Sequence, residues 1–248
     1  MTDSDFAGKV AVVTGGGSGI GAASALLLAE RGARVLVVGL DKIATQLVAD
    51  EIGDGARAFS ADVTRPDDCE AMVAEAVRIF GRLDVAVNSA GVSGPRCRTA
   101  DYPLDGWAEV VAVNLSGVFY CMRAEIAMML SCGGGSIVNV GSVLSGVGYD
   151  SAVAYVSAKH GVLGLTKTAA VEYARHGIRI NSVGSGFTYT RLMTTFTPKV
   201  IEAMTERQPV GRLADASEIA ELVAFLASER ASNITGSHHL ADGGYSAV

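Results

Sequence analysis

A doubly wound α/β domain, its mainly parallel sheet covered by helices on both faces, is predicted by three features of the sequence. Short β-branched apolar runs alternate with longer segments of helical period, the apolar runs carry almost no polar residue, and a glycine-rich turn joins the first run to the first helical segment. Unbroken apolar runs suit strands buried on both faces, and helices between strands suit parallel pairing. The chain has 248 residues, 49% of them apolar and 19% charged. A domain of that length buries about 75% of its unfolded surface. No composition break, repeat or low-complexity tract divides it, so residues 1–248 read as one Rossmann-like domain.

The elements follow in order. Val10 to Thr14 reads as the first strand, Ile20 to Arg31 as the helix after it, Ala33 to Val38 as the second strand and Lys42 to Ile52 as its helix. Ala56 to Ser60 is a third strand, Pro66 to Phe80 a helix, Leu83 to Asn88 a fourth strand, and a long helix lies within Leu104 to Ser131. Ser136 to Val140, a helix from Ser151 to Arg175, and Ile178 to Val183 continue the pattern. A helix from Ser217 to Ser228 and a strand near Ser237 to Leu240 complete the sheet. Gly or Asp punctuates the connections, where turns and helix caps belong. Residues 187–209 break the rhythm with threonines, Pro198 and methionines, which fits either a substrate lid or an ordinary surface helix pair.

Lys and Arg number 20 against 26 Asp and Glu, a net charge of −6, so no basic surface for nucleic acid or anionic lipid is expected. Residues 1–8 are polar and acidic, unlike a secretion signal, and no apolar run reaches the ~18 residues of a membrane span. A cytoplasmic protein is expected. Cys69, Cys97, Cys121 and Cys132 form no C-x-x-C pair, and the histidines include no ligand pair one helical turn apart. His238 and His239, neighbours on a predicted strand, point to opposite faces and could not share an ion. No metal is expected.

The first strand runs into Thr14-Gly15-Gly16-Gly17-Ser18-Gly19-Ile20-Gly21 and then into a helix. Glycine lets backbone approach a pyrophosphate, whose charge is favoured by the free N–H groups and positive dipole end of the helix. Any tight strand-to-helix turn can use glycine, so the loop gains meaning from its βαβ setting. Further along, Tyr155 and Lys159 lie four residues apart, one turn along the same helical face. A tyrosine with an ordinary pKa near ~10 is a poor base at neutral pH; a nearby ammonium favours the tyrosinate. Ser142 ends a predicted strand, where open α/β sheets place their sites, and its hydroxyl can hold a substrate oxygen or cap a turn.

The T-G-x-x-x-G-I-G spacing resembles that of the short-chain dehydrogenase/reductase family. Asp62-Val63 is similar to that family's adenine-binding pair, and Asn88-Ser89-Ala90-Gly91 to its N-N-A-G segment with Ser89 for the second asparagine. Asn114, Ser142 and Tyr155-Val156-Ser157-Ala158-Lys159 fit the family's catalytic positions, and Pro209 to Leu213 and Ile234 to Gly244 extend the likeness over nearly the whole chain. The resemblance implies an NAD(P)-dependent oxidoreductase that moves a hydride between nicotinamide and an uncharged secondary alcohol or ketone. It assigns Tyr155 as acid/base and Lys159 to lowering its pKa and binding ribose. Ser142 orients the substrate oxygen, and Asn114 supports a backbone distortion and a proton relay; Asn114 also reads as a buried residue satisfying nearby backbone. Cofactor contacts are implied at Gly15, Ser18, Gly19, Ile20, Gly21, Asp62, Val63, Asn88, Ala90, Gly91, Tyr155, Lys159, Thr188 and Thr190. A homo-oligomer, often a tetramer built on two long helices, is implied too.

The chain departs from the family at informative places. Gly39 stands where NAD-using relatives usually carry Asp, and Leu40 where many NADP-using relatives carry Arg. Ser18 is not basic, Lys42 could reach a 2′-phosphate, and Asp41 could bind ribose or cap the next helix. NAD is favoured over NADP. Ser185 replaces a proline, which predicts a looser loop, and Thr188 adds a hydroxyl beside the nicotinamide position. Residues near the expected substrate, among them Ser93, Gly94, Val143 to Tyr149 and Phe187 to Phe196, are largely apolar or neutral, while Arg96, Arg98 and Arg191 are expected to be solvated. The competing reading is a catalytically idle dinucleotide-binding sensor or partner-binding protein.

Overall fold

Along β1 (Val10–Thr14), Val10 and Val12 enter one core while Ala11 and Val13 enter the other. In β2 (Arg34–Gly39), Leu36 and Val38 go to the first and Val35 and Val37 to the second. This two-sided burial is why the strand runs are apolar throughout. The computed structural model describes residues 4–190, 193 and 196–247. With β3 (Ala56–Ser60), β4 (Val85–Asn88), β5 (Gly135–Val140), β6 (Ile178–Ser185) and β9 (His238–Ala241), these strands form a seven-stranded sheet in the order β3-β2-β1-β4-β5-β6-β9. Every adjacent pair is parallel. β7 (Thr188–Tyr189) and β8 (Ala214–Asp215) pair separately.

Helices α1 (Gly19–Glu30), α2 (Lys42–Ile52) and α8 (Ala216–Ala227) cover one face, packing Ala25, Leu28, Val48 and Ile219 into its core. The other face carries α3 (Pro66–Phe80), α5 (Gly117–Cys132) and α6 (Val153–Tyr173), through Met72, Phe80, Met122, Met129 and Val162. The connections reverse direction between β1 and β4, which opens a crevice at the carboxyl ends of these strands, the usual ligand site of such sheets.

Two predicted elements are modified. The long helix is two helices, α4 (Leu104–Val111) and α5, joined by a π-helical turn at Ala112–Ser116. The helix predicted from Ser151 starts at Val153, because Ser151 has a left-handed φ of 60°. The joined segment Leu104–Cys132 is long and apolar enough, by length and composition, to cross a membrane, against the expectation that none is. Its apolar side, including Val118, Cys121 and Ile126, is buried in the core beside α3, which is the position of an internal helix in a layered domain. Residues 187–209 contain β7 and α7 (Pro198–Glu206); residues 191, 192, 194 and 195 of the predicted lid, Arg191 among them, lie outside the described residues.

Candidate active site

The site begins where β1 ends. Thr14 Oγ1 accepts from Ser89 N at 3.2 Å, tying the ends of β1 and β4 together. Gly15 has φ 63°, and a Cβ there would stand 2.8 Å from Ala90 N; a Cβ on Gly21 would collide with the Gly15 carbonyl oxygen. The loop therefore closes only with glycine at both positions. Ser18 precedes α1 without capping it, so the first amides of the helix are left to a ligand.

Above the carboxyl ends of the strands lies a cleft of about 520 Å³. Of the residues singled out from the sequence, Gly15, Ser18, Gly19, Ile20, Ala90, Gly91, Ser142, Tyr155, Lys159, Thr188 and Thr190 line it. Gly21, Asp62, Val63, Asn88 and Asn114 do not. Asp62 accepts from the backbone N–H and hydroxyl of Thr64, at 2.9 and 2.7 Å, and Val63 is buried against Gly117. Asn88 points into the interior, where its amide donates to Glu125 and Asn139, each at 3.0 Å. Complete burial pushes the Glu125 carboxyl up to about 7, while the Asn88 bond opposes that rise.

Ser142 follows β5. Its Oγ accepts from Leu144 N at 3.1 Å, and its own N–H donates to Ser145 Oγ at 3.1 Å. The turn-capping role therefore coexists with a position in the cleft. Ser145, read from the sequence only as one of the residues near the substrate, completes a capping box with Ser142 that the Ser-x-x-Ser spacing could have signalled. Tyr155, on the first turns of α6, shares a hydrogen bond with Ser142 that lowers its pKa, and burial pushes it upward by more. Lys159 lies one turn on, with Nζ 5.7 Å from the centre of the Tyr155 ring. Its ammonium donates to the Val140 carbonyl at 2.7 Å, and burial lowers it to about 8. Ser142 thus exerts a downward influence on Tyr155, while Lys159 is directed at a carbonyl and is itself desolvated.

Asn114 sits in the π-helical turn, fully buried, with Oδ1 accepting from Val92 N and Nδ2 donating to Val92 O, both at 2.8 Å. The backbone distortion implied by resemblance is present, and so is the satisfied buried asparagine. The pair of bonds fixes the β4 loop against the helix. Asp41 caps α2 by accepting from Ala44 N at 3.1 Å. A Cβ at Gly39 would come within 2.8 Å of the Thr45 hydroxyl, which donates to the Asp41 carbonyl at 2.7 Å, so this corner is packed for glycine. Leu40 is 69% exposed. Ser185 is the last residue of β6 and stands in register with Ala241. His238 and His239 take different partners, Ser182 Oγ at 3.2 Å and Ser237 Oγ at 2.7 Å.

Arg96, solvent-exposed as expected, stands at the rim of the cleft, which is also lined by the apolar Val143, Leu144, Phe187, Met193, Phe196 and Met204. No local signal in the sequence marks Arg96; only the approach of the β4 loop to the segment after Ser142 places it there.

Comparison with known proteins agrees with the geometry. The sequence pattern of a family described as Enoyl-(Acyl carrier protein) reductase matches residues 15–246. A cyclohexanol dehydrogenase of Acinetobacter sp. (strain SE19) is 46% identical over 97% of this chain and 96% of its own. A cis-4-hydroxycyclohexanecarboxylate dehydrogenase of Sinomonas cyclohexanicum is 43% identical over 98% of each. Among solved structures, a 3-ketoacyl-(acyl-carrier-protein) reductase from Brucella melitensis complexed with NADH superposes with a TM-score of 0.93. It is 35% identical, covering 97% of this chain and 99% of that one.

Proposed function

This chain belongs to the short-chain dehydrogenase/reductase family, and we propose that it interconverts an alicyclic secondary alcohol and its ketone, with Tyr155 as the acid/base. Support comes above all from the convergence of Ser142, Tyr155 and Lys159 on one wall of the cleft whose other end is the glycine loop. The glycine cradle and the uncapped start of α1 suit a dinucleotide pyrophosphate, held by Gly15, Ser18, Gly19, Ile20 and Gly21. Asp62 and Val63 serve the adenine, Ala90 and Gly91 the adjoining length with Asn88 beneath them, Lys159 a ribose, and Thr188 and Thr190 the nicotinamide end. When bound, the nicotinamide supplies or accepts the hydride.

The chain's own residues handle the proton. Ser142 holds the substrate oxygen toward Tyr155, which gives its proton to a carbonyl in reduction and takes one from a hydroxyl in oxidation. Lys159, buried and lowered to about 8, exchanges a proton with Tyr155, and Asn114 is proposed to support the relay beyond it. Val143, Leu144, Phe187 and Phe196 offer an apolar wall to an uncharged ring around the reacting carbon. The relatives named for cyclohexane-ring alcohols favour that substrate size.

NAD is the proposed coenzyme in preference to NADP: neither Leu40, where many NADP-using relatives carry Arg, nor Ser18 offers a cation to a 2′-phosphate, while Gly39 also lacks the Asp usual in NAD-using relatives. Cytoplasmic residence is proposed as well: all four cysteines are free, and Cys69 and Cys121 keep their sulfurs 3.7 Å apart. The exposed Phe119 and Leu130 of α5 and Val171 of α6 favour association into a homo-oligomer, proposed as a tetramer, which light scattering tests. The function is tested by following reduced nicotinamide with cyclohexanol or cyclohexanone and each coenzyme. Turnover with a higher kcat/KM for NAD(H) is expected. Coenzyme binding without turnover on any alcohol or ketone would overturn the assignment in favour of an idle sensor.

A further inference from the structure

At the end of the cleft formed by the segment after Ser142, two guanidinium groups stand over one ring. Arg96 lies 4.7 Å and Arg207 5.1 Å from the centre of Tyr149, which lines the cleft together with Arg96. The two arginines come from distant parts of the chain, the β4 loop and the residue that ends α7. Tyr149 is itself packed edge-on against Phe187, which in turn meets Tyr245. The ring is therefore packed on its edge by Phe187, and both cations, themselves solvent-exposed, lie close to it.

Stacking occupies the face of a guanidinium and leaves its in-plane N–H donors free. Among the described residues, neither Arg96 nor Arg207 makes an ion pair or a hydrogen bond to a carboxylate. Among the described residues lining the cleft there is no Asp or Glu, although the whole chain carries 26 of them and a net charge of −6. A cationic, carboxylate-free mouth in an acidic protein attracts and orients an anion. Lys159, the other cation among the described residues lining the cleft, donates to the Val140 carbonyl beside the end of β5.

We propose that Arg96, supported by Arg207 across Tyr149, binds a carboxylate borne by the substrate at a distance from the reacting carbon, so that the preferred substrate is a hydroxy- or oxo-cycloalkane carboxylate. This deepens the alcohol/ketone reading above and rests on it. The apolar wall takes the ring, Ser142 and Tyr155 take the reacting oxygen, and the arginine end fixes which ring carbon faces the nicotinamide.

The experiment compares kcat/KM for 4-hydroxycyclohexanecarboxylate, its methyl ester and cyclohexanol, in the unaltered protein and in Arg96→Gln and Arg207→Gln. The free acid is expected to be preferred over its ester by about threefold to fivefold, as for a solvent-exposed charge pair worth up to ~1 kcal/mol. The preference should shrink at high salt, and the acid-to-cyclohexanol ratio should fall by a similar factor in Arg96→Gln, mainly through KM, with a smaller fall in Arg207→Gln. The acid-to-ester comparison needs no variant, so a variant that fails to fold leaves it decisive. Oxidation of cyclohexanol with acid and ester used equally, or an unchanged ratio in a folded Arg96→Gln, overturns the carboxylate site alone. Failure to oxidise any of the three overturns the reading beneath it.

Discussion

Tyr155 is held between opposing influences: burial favours its neutral hydroxyl, and the bond with Ser142 favours its ionised form. Tyr155→Phe removes the transferable proton while keeping the ring, so kcat should fall by on the order of 10²–10⁴, with NADH affinity, read by fluorescence titration, close to unaltered. Lys159, lowered to about 8, is the nearest group whose charge changes just above neutrality. Oxidation needs Tyr155 to accept a proton, so its kcat/KM should rise with pH through that region, and reduction, which needs the proton present, should fall. The apparent pKa belongs to the Tyr155–Lys159 pair. A flat profile in both directions would remove the pair from the proton path. At this scale order and spacing in the sequence singled out Ser142, Tyr155 and Lys159, which line one cleft. They did not disclose that Lys159 faces the Val140 carbonyl, because that bond joins residues on α6 and β5.

At the scale of elements, two joints position the site. Gly21 lets α1 start directly over the Gly15 carbonyl; Gly21→Ala forces a side chain into that backbone and should abolish NADH binding while the far-ultraviolet circular dichroism of the sheet and helices persists. The second joint is the π-helical turn, where Asn114 grips both backbone groups of Val92. Asn114→Ala leaves a part-buried N–H and C=O without those partners, at a cost of roughly 1 kcal/mol. Thermal unfolding should show that loss, and faster amide exchange at Val92 should localise it. Strand runs and most helix limits were legible because two-sided burial and helical period leave a local imprint. The π-helical turn was not: Val113, Asn114 and Leu115 continue the helical pattern, and the extra residue in the turn is set by the bonds to the β4 loop.

Across the whole molecule, the buried network of Asn88, Glu125, Asn139 and Thr166 binds strands β4 and β5 to helices α5 and α6 beneath the cleft. Glu125 has its pKa raised from 4.5 to about 7 by burial. The folded protein holds this proton more tightly than the unfolded chain, so this group's contribution to stability falls as pH rises from about 4.5 to 7 and is flat above. Glu125→Gln keeps the shape and removes the ionisation, and should raise Tm at pH 8 relative to pH 5, by up to about 3 kcal/mol of relief. Equal shifts in Tm at both pH values would show that Glu125 is already ionised without penalty.

The sequence by itself determined the parallel α/β class and the glycine loop, and it singled out Ser142, Tyr155 and Lys159, which the fold brings to one cleft. These depend on local period, on φ freedom and on spacing along single elements. Only the tertiary structure decided the interior role of Asn88, the packed corner at Gly39, and the meeting of Arg96 and Arg207 over Tyr149. Each of these is a contact between segments far apart in the chain. Such contacts are set by the order in which strands join the sheet, and local pattern carries no trace of them.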